Sequence, residues 1–450
     1  MIQPNNALSD QVSILSNRTQ LLPRQDDYKT LRFGIWIYFI LLVFEGALRK
    51  WVFPGLATPL LVVRDPVAFW LILLALQKQI LKPNIYVTGM LVITVASIFT
   101  ALFIGHGNLY VALFGARIFL LHFPLIFIIG QVFDREDVIK FGKIIMLVAL
   151  PMVILIAIQF YSPQTAWVNR GIGEDSEGGG FSGALGFFRP PATFSFISGT
   201  ASFFALVACF VFYFWLGENK SKRILLILAT MAVVASIPLS ISRSLFFSVV
   251  ITLLFSMMAI LRKPQYLGKM LLSLAVLTVL FLIFSDSSAI QTPLEAFSTR
   301  FTSANEAEGG LQGVAQDRVL KGLTDPFVGS PDQPFFGYGI GMGTNVGAML
   351  LTGEKTFLIS EGEWGRVIGE QGPLLGLLAL MLRMAFCIQL FIGAYRRLQL
   401  ADLLPWMLLN FALLNISQGQ WGQPTSLGFS VVVGGLLLAS FKGSAKVDVV

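Results

Sequence analysis

With 55% of its 450 residues hydrophobic, only 13% charged and a mean hydropathy of +0.75, the chain carries more apolar surface than a soluble core of this length can hide. The net charge of +7 does not point to nucleic acid, because most Lys and Arg sit in short hydrophilic gaps between apolar runs, where they set membrane orientation. Two cysteines (Cys209, Cys387) and two histidines (His106, His122) give neither a disulfide framework nor a multi-histidine metal site, so no metal and no cofactor is expected.

Taken in order, residues 1–31 are polar up to Asp27, lack the apolar core of a leader peptide, and read as a cytoplasmic tail. About 20 apolar residues cross about 30 Å of hydrocarbon. That length predicts spans at 32–50, 57–78, 84–104, 110–130, 138–160, 192–216, 224–240, 244–261 and 268–284, then 364–394, 403–416 and 425–441. The fold class is therefore an all-α integral membrane protein of about 12 transmembrane helices. Segment 32–284 holds nine spans with an outside loop at 161–191. Residues 285–362 form one large extracytoplasmic loop, 363–441 the last three spans, and 442–450 a second cytoplasmic tail. With the N-terminus inside, every inside gap is basic, as at Lys78 and Lys82, Arg135, Lys140 and Lys143, Lys222 and Arg223, Arg262 and Lys263, and Arg396 and Arg397. Both termini are thus expected in the cytoplasm. Within the large loop, Leu311, Val314, Ala315, Val319 and Leu323 fall at helical spacing and predict an amphipathic helix that carries Asp317 and Arg318.

A charge inside the bilayer costs at least about 2.5–3.5 kcal/mol at a helix centre, so each needs a reason. Glu45 and Arg49 are four apart near the outer end of the first span, and Arg64 and Asp65 lie in the outer part of the second; the local pairings are Glu45–Arg49 and Arg64–Asp65. Arg117, Arg189 and Arg243 have no acid nearby in sequence. All of these fall in the outer half, whereas the inner half holds only boundary charges and Arg383. A transporter would want polar groups at the midplane and inverted repeats, and no repeat is visible.

The tenth span opens with Glu361-Gly362-Glu363-Trp364-Gly365-Arg366-Val367-Ile368-Gly369-Glu370-Gln371-Gly372-Pro373. Gly362, Gly365, Gly369, Gly372 and Gly376 form a stripe on which a neighbouring helix is expected to pack closely. Beside the stripe, Glu363, Arg366 and Glu370 share one face, with two carboxylates flanking a guanidinium. Upstream, Gly337-Tyr338-Gly339-Ile340-Gly341-Met342-Gly343 does not fit a dinucleotide fingerprint and reads as tight turns or as a close approach of backbone N–H groups to a phosphate.

This order of features resembles the O-antigen ligase and O-antigen polymerase superfamily: Ser242-Arg243-Ser244 at a span start, a long outside loop, the Gly-x-Gly run, then Glu370-Gln371-Gly372-Pro373-Leu374-Leu375-Gly376. The segment Glu45-Gly46-Ala47-Leu48-Arg49-Lys50-Trp51, followed by Arg64-Asp65-Pro66, resembles the branch associated with exopolysaccharide assembly. The likeness runs from about 45 to 376. It implies a membrane glycosyltransferase bundle in the bacterial plasma (inner) membrane that needs no metal. Such a protein passes a glycan from a polyprenyl-pyrophosphate-linked oligosaccharide to a glycan acceptor at the outer face, beside other polysaccharide assembly proteins. Ligases of the group usually carry a His-Asn pair where this chain reads Ser360-Glu361-Gly362-Glu363-Trp364, which favours a polymerase over ligase-type transfer. On this reading Arg117, Arg189, Arg243 and Arg318 bind pyrophosphate. Glu363, Arg366 and Glu370 form the catalytic group, with Glu363 as base and Glu370 second, and Glu45, Arg49, Arg64 and Asp65 are supporting. A flippase or other polytopic transporter, or a non-catalytic scaffold, is the rival expectation.

Overall fold

The computed structural model describes residues 28–173, 180–217, 222–262, 264, 267–268, 271, 287–307, 333–354 and 356–443. Among these, eight helices are long and apolar enough to cross a membrane. In the labels used below they are α1 (Lys29–Val52), α3 (Ile85–Phe103), α4 (Leu109–Val132), α5 (Arg135–Tyr161), α6 (Ile197–Leu216), α8 (Arg243–Arg262) and α11 (Glu363–Gln399), with α2 (Asp65–Gln77) reaching that length through the short turn Pro59–Val62 before it. Three shorter apolar helices join them, α7 (Arg223–Leu239), α12 (Leu403–Ser417) and α13 (Pro424–Ser440). Two further helices lie in the large loop, α9 (Ser288–Ala307) and α10 (Asn345–Thr352). A two-stranded hairpin, β1 (Phe181–Ser182) and β2 (Phe188–Arg189), is the only sheet among the described residues. The predicted span 268–284 apart from residues 268 and 271, the predicted loop helix from Leu311 to Leu323 and Arg318 fall outside the described residues.

Burial sorts the helices. In α6 nearly every side chain of a Phe-rich run is covered, as expected of a helix apolar on all sides and surrounded by others. By contrast, α3 leaves Leu91, Val92, Val95, Phe99 and Phe103 exposed. A continuous apolar face of this kind is what lipid covers.

Lipid tails are as apolar as Leu, so helices associate here by close packing and by polar links. Gly130 of α4 meets Leu438, while Gly434 and Gly435 of α13 meet Ile126 and Ile129, which brings α4 and α13 together. Asn410 of α12 accepts hydrogen bonds from Thr252 Oγ1 (3.0 Å) and Cys209 Sγ (3.6 Å), tying α8 and α6 to α12.

The two ends of the bundle differ. One end gathers the basic helix termini: Arg135 forks onto Asp402 (2.6 and 2.7 Å), Arg32 reaches Asp134 (3.0 Å), Arg262 reaches Tyr395, and Lys442 Nζ donates to Phe133 O (2.9 Å). The other end, called the mouth below, holds the hairpin, α9, α10 and the buried charges. Rings of Phe246 and Phe301 in contact place α9 beside the mouth end of α8.

Three local distortions mark these helices. Both α1 and α4 contain one π turn, Leu48–Val52 and Ile118–His122, and such turns favour functional positions because an added residue re-aims the side chains around it. The third distortion is a break. In α11 Gly372 has φ +75°, a conformation that L side chains resist, and Pro373 has no N–H to donate. The carbonyls this leaves exposed are taken by the preceding loop: Gln333 Nε2 donates to Ile368 O (3.0 Å), Tyr338 N to Gly369 O (2.8 Å) and Gly339 N to Glu370 O (2.9 Å). Irregular backbone at this depth survives only when buried and satisfied in this way. The glycine stripe therefore serves a different neighbour from the helix expected. A Cβ at Gly372 would lie 2.1 Å from Phe335 O, and one at Gly369 would lie 2.2 Å from Ile359 Cγ2.

Candidate functional site

At the mouth end of α1 the π turn directs Arg49 and Lys50 inward, and both are buried. Lys50 Nζ donates to Ala192 O (2.6 Å) and Phe194 O (2.9 Å), and Arg49 donates to Ala57 O (2.7 Å) and Ser195 Oγ (2.9 Å). The strap 190–195 is thereby pinned across α1. Gly46 makes room for it, since a Cβ there would lie 2.3 Å from the Phe194 carbonyl carbon.

The expected Arg64–Asp65 pair does not form. Arg64 turns to α1, with Nε 3.4 Å from Glu45 Oε2 and Nη2 donating to Pro424 O (2.5 Å). Asp65 turns to α4 and accepts from Arg117 Nη1 at 2.8 and 3.0 Å, so Arg117 does have an acid partner, one supplied by another helix. Asp65 also meets His122 Nε2 (3.0 Å), whose Nδ1 shares a hydrogen bond with Tyr38 (2.8 Å). Beside an ionised Asp65, which can only accept, Nε2 carries the proton and a neutral ring accepts from Tyr38. Glu45 and Arg49 do meet as the i,i+4 pair, at a long 3.4 Å.

On α11 the predicted face assembles. Arg366 donates to Glu363 Oε1 (2.9 Å) and Oε2 (3.0 Å) and to Glu370 Oε2 (2.7 Å). Arg383, not singled out as a site residue from sequence, reaches back from about three turns past the break and donates to Glu363 Oε1 (2.7 Å), with its guanidinium 3.8 Å over the Trp421 ring. Trp421 N donates to Glu363 Oε2 (3.0 Å). Four donors therefore fill the four acceptor positions of Glu363, which leaves none for a substrate proton. Glu370 takes Gly343 N (2.9 Å) on its other oxygen and has no exposed surface. In this arrangement both acids hold guanidinium groups in place.

Two hollows open beside these clusters. One, of about 270 Å³, is lined by Glu361, Glu363, Arg366, Gln420 and Phe357 among others. The second, of about 450 Å³, is lined by Glu45, Arg49, Ser195, Phe196 and Phe114 among others. Asn345, Gly422 and Gln423 line both, so the hollows adjoin as one cleft bounded by α1, α10, α11 and the turn between α12 and α13, with amides and carboxylates set among apolar wall.

Behind Phe196 of the cleft wall stands Arg189. Arg189, on β2, lies 5.9 Å over the Phe181 ring, and Phe181 packs against Phe196 of the cleft wall (5.5 Å). Burial, and then the neighbouring Arg300 of α9 and Arg243 of α8, pushes the Arg189 guanidinium below its ordinary pKa. Its Nε is buried without a hydrogen-bond partner. Like charges brought together with an unsatisfied donor are set for an anion.

Of the residues expected from sequence, Arg243 acts on Arg189 through its charge, and Glu363, Arg366 and Glu370 form one clamp. Glu45, Arg49 and Arg64 form a second group, which meets the Asp65–Arg117 pair. Sequence reasoning missed Arg300, Lys50, Tyr38 and the roles of His122 and Arg383. Arg383 had a visible signal, as the lone charge deep in an apolar span; the others are indistinguishable in sequence from loop or core residues. No protein-family model matches the chain and no curated protein matches it significantly, so the resemblance to the O-antigen ligase and polymerase superfamily rests on its motifs.

Proposed function

We propose that the protein is a membrane glycosyltransferase of the polysaccharide polymerase type. It moves a glycan from a polyprenyl-diphosphate carrier to a sugar hydroxyl. The observation that carries this reading is the buried Arg189 Nε without a hydrogen-bond partner, behind Phe196 of a cleft that opens at one end of an apolar bundle, with the charges of Arg243 and Arg300 near enough to act on it. The lipid tail of the donor would lie among the exposed apolar faces, and its diphosphate would meet the arginines. When the anomeric carbon–oxygen bond to phosphate breaks, the electron pair leaves with the diphosphate, where guanidinium groups stabilise it. Amides suited to sugar hydroxyls, Asn345, Gln420 and Gln423, line the cleft. The gathering of Lys and Arg at the opposite end argues that the mouth faces away from the cytoplasm of a bacterial cell, with both termini inside.

A flippase is the second reading, favoured by the broken helix α11, since transporters bind at such breaks. The experiment is to reconstitute the purified protein in vesicles with a polyprenyl-diphosphate-linked oligosaccharide. A ladder of longer lipid-linked products is expected. Donor crossing the bilayer without lengthening would replace this reading with the second.

A further inference from the structure

We propose that Glu45 is the catalytic base that takes the proton from the acceptor hydroxyl, an inference that rests on the glycosyl-transfer reading. The two carboxylates on the cleft wall that belong to the buried clusters differ in what they have left to offer. Glu363 accepts four hydrogen bonds of 2.7–3.0 Å. Glu45 is only 3% exposed, yet both its ion pairs, to Arg49 and Arg64, are long at 3.4 Å, and its Oε2 accepts no hydrogen bond. A buried carboxylate oxygen without a donor is unfavourable unless a ligand supplies one. Glu45 lines the second hollow, and Ser195 and Phe196 of its wall continue the strap that follows Arg189. Donor diphosphate at the arginines and acceptor at Glu45 would thus lie on the two sides of one short segment.

The step balances within these groups. The acceptor oxygen forms a bond to the donor's anomeric carbon while the bond from that carbon to the phosphate oxygen breaks. The acceptor's proton passes to Glu45 Oε2, and the electron pair leaves with the diphosphate. Arg49 and Arg64 hold the carboxylate in position, and Arg64 is steadied in turn by Pro424 O and Tyr38.

The test compares wild type, Glu45→Gln and Glu45→Asp in nanodiscs. It measures turnover against pH with a lipid-linked oligosaccharide, and equilibrium binding of polyprenyl diphosphate alone. Loss of a general base lowers turnover by about 100-fold or more. We expect that loss in Glu45→Gln, with the acid limb of the pH profile gone, polyprenyl-diphosphate binding unchanged, and part of the turnover kept in Glu45→Asp. Turnover by Glu45→Gln near the wild-type level overturns the proposal alone. Joint loss of turnover and diphosphate binding in Glu45→Gln also overturns it, by making Glu45 a structural support. Absence of transfer by the wild type overturns the proposal together with the reading beneath it.

Discussion

Two groups of arginines sit at the same end of the molecule and are treated in opposite ways. Arg366 and Arg383 are enclosed by Glu363, Glu370, backbone carbonyls and an indole face, with contacts of 2.7–3.0 Å to the carboxylates. Arg189 has two other guanidinium groups for neighbours and a buried Nε without a partner. A guanidinium whose donors are filled by acids is part of the scaffold, and it holds the broken helix α11 to α12 and to the Gly337–Gly343 turns. One with a buried Nε that no described residue accepts from is open to an anion that comes from elsewhere. The same contrast separates the saturated Glu363 from the under-bonded Glu45.

The sharpest way to break this comparison is to exchange the fates of the two groups. Removing one partner of a buried ion pair leaves a stranded charge and costs about 3–5 kcal/mol. Arg366→Ala, which strands Glu370 and strips Glu363 of two of its four donors, should therefore fall out of the membrane fraction or unfold at markedly lower temperature. Arg189→Ala should keep wild-type abundance and thermal stability but lose transfer by about 10²–10³-fold, the scale of one lost transition-state donor. Equal stability losses for both would erase the distinction. Gly46→Ala should come next: its Cβ meets the Phe194 backbone at 2.3 Å, and overpacking of this kind costs about 1–3 kcal/mol. Because the displaced strap carries Ser195 and Phe196, its transfer rate should fall along with its melting temperature. Asn410→Leu, which removes only the link between α12, α8 and α6, should lower stability by about 1 kcal/mol and leave transfer per folded molecule intact.

How far these features could be read in the sequence depends on the range of the physics behind them. Span length and apolarity are local, and each of the helices observed among the described apolar spans was expected within a few residues. The Glu363–Arg366–Glu370 face follows from helical spacing alone. The break at Gly372-Pro373 went unread inside an expected continuous span, and the glycines beside it suggested a helix neighbour where the loop at 333–343 stands. Long-range pairing was not legible. Arg117 finds Asp65 at a separation of 52 residues, Tyr38 finds His122 at 84, and Arg49 finds Ser195 at 146, while the nearer choice for Arg64, Asp65, goes unused. The π turns that aim Arg49, Lys50 and His122 have no counterpart in a 3.6-residue period. Arg300 sits on a polar helix where nothing in the local pattern sets it apart.

The central claim is that the mouth arginines hold a diphosphate. The direct measurement is equilibrium binding of a short-chain polyprenyl diphosphate to the protein in nanodiscs, for wild type and for Arg189→Ala. The account predicts saturable binding by the wild type, weakened at least about tenfold in Arg189→Ala, as expected for a lost charge-assisted contact worth about 1.4 kcal/mol or more. Equal binding by the two would contradict it.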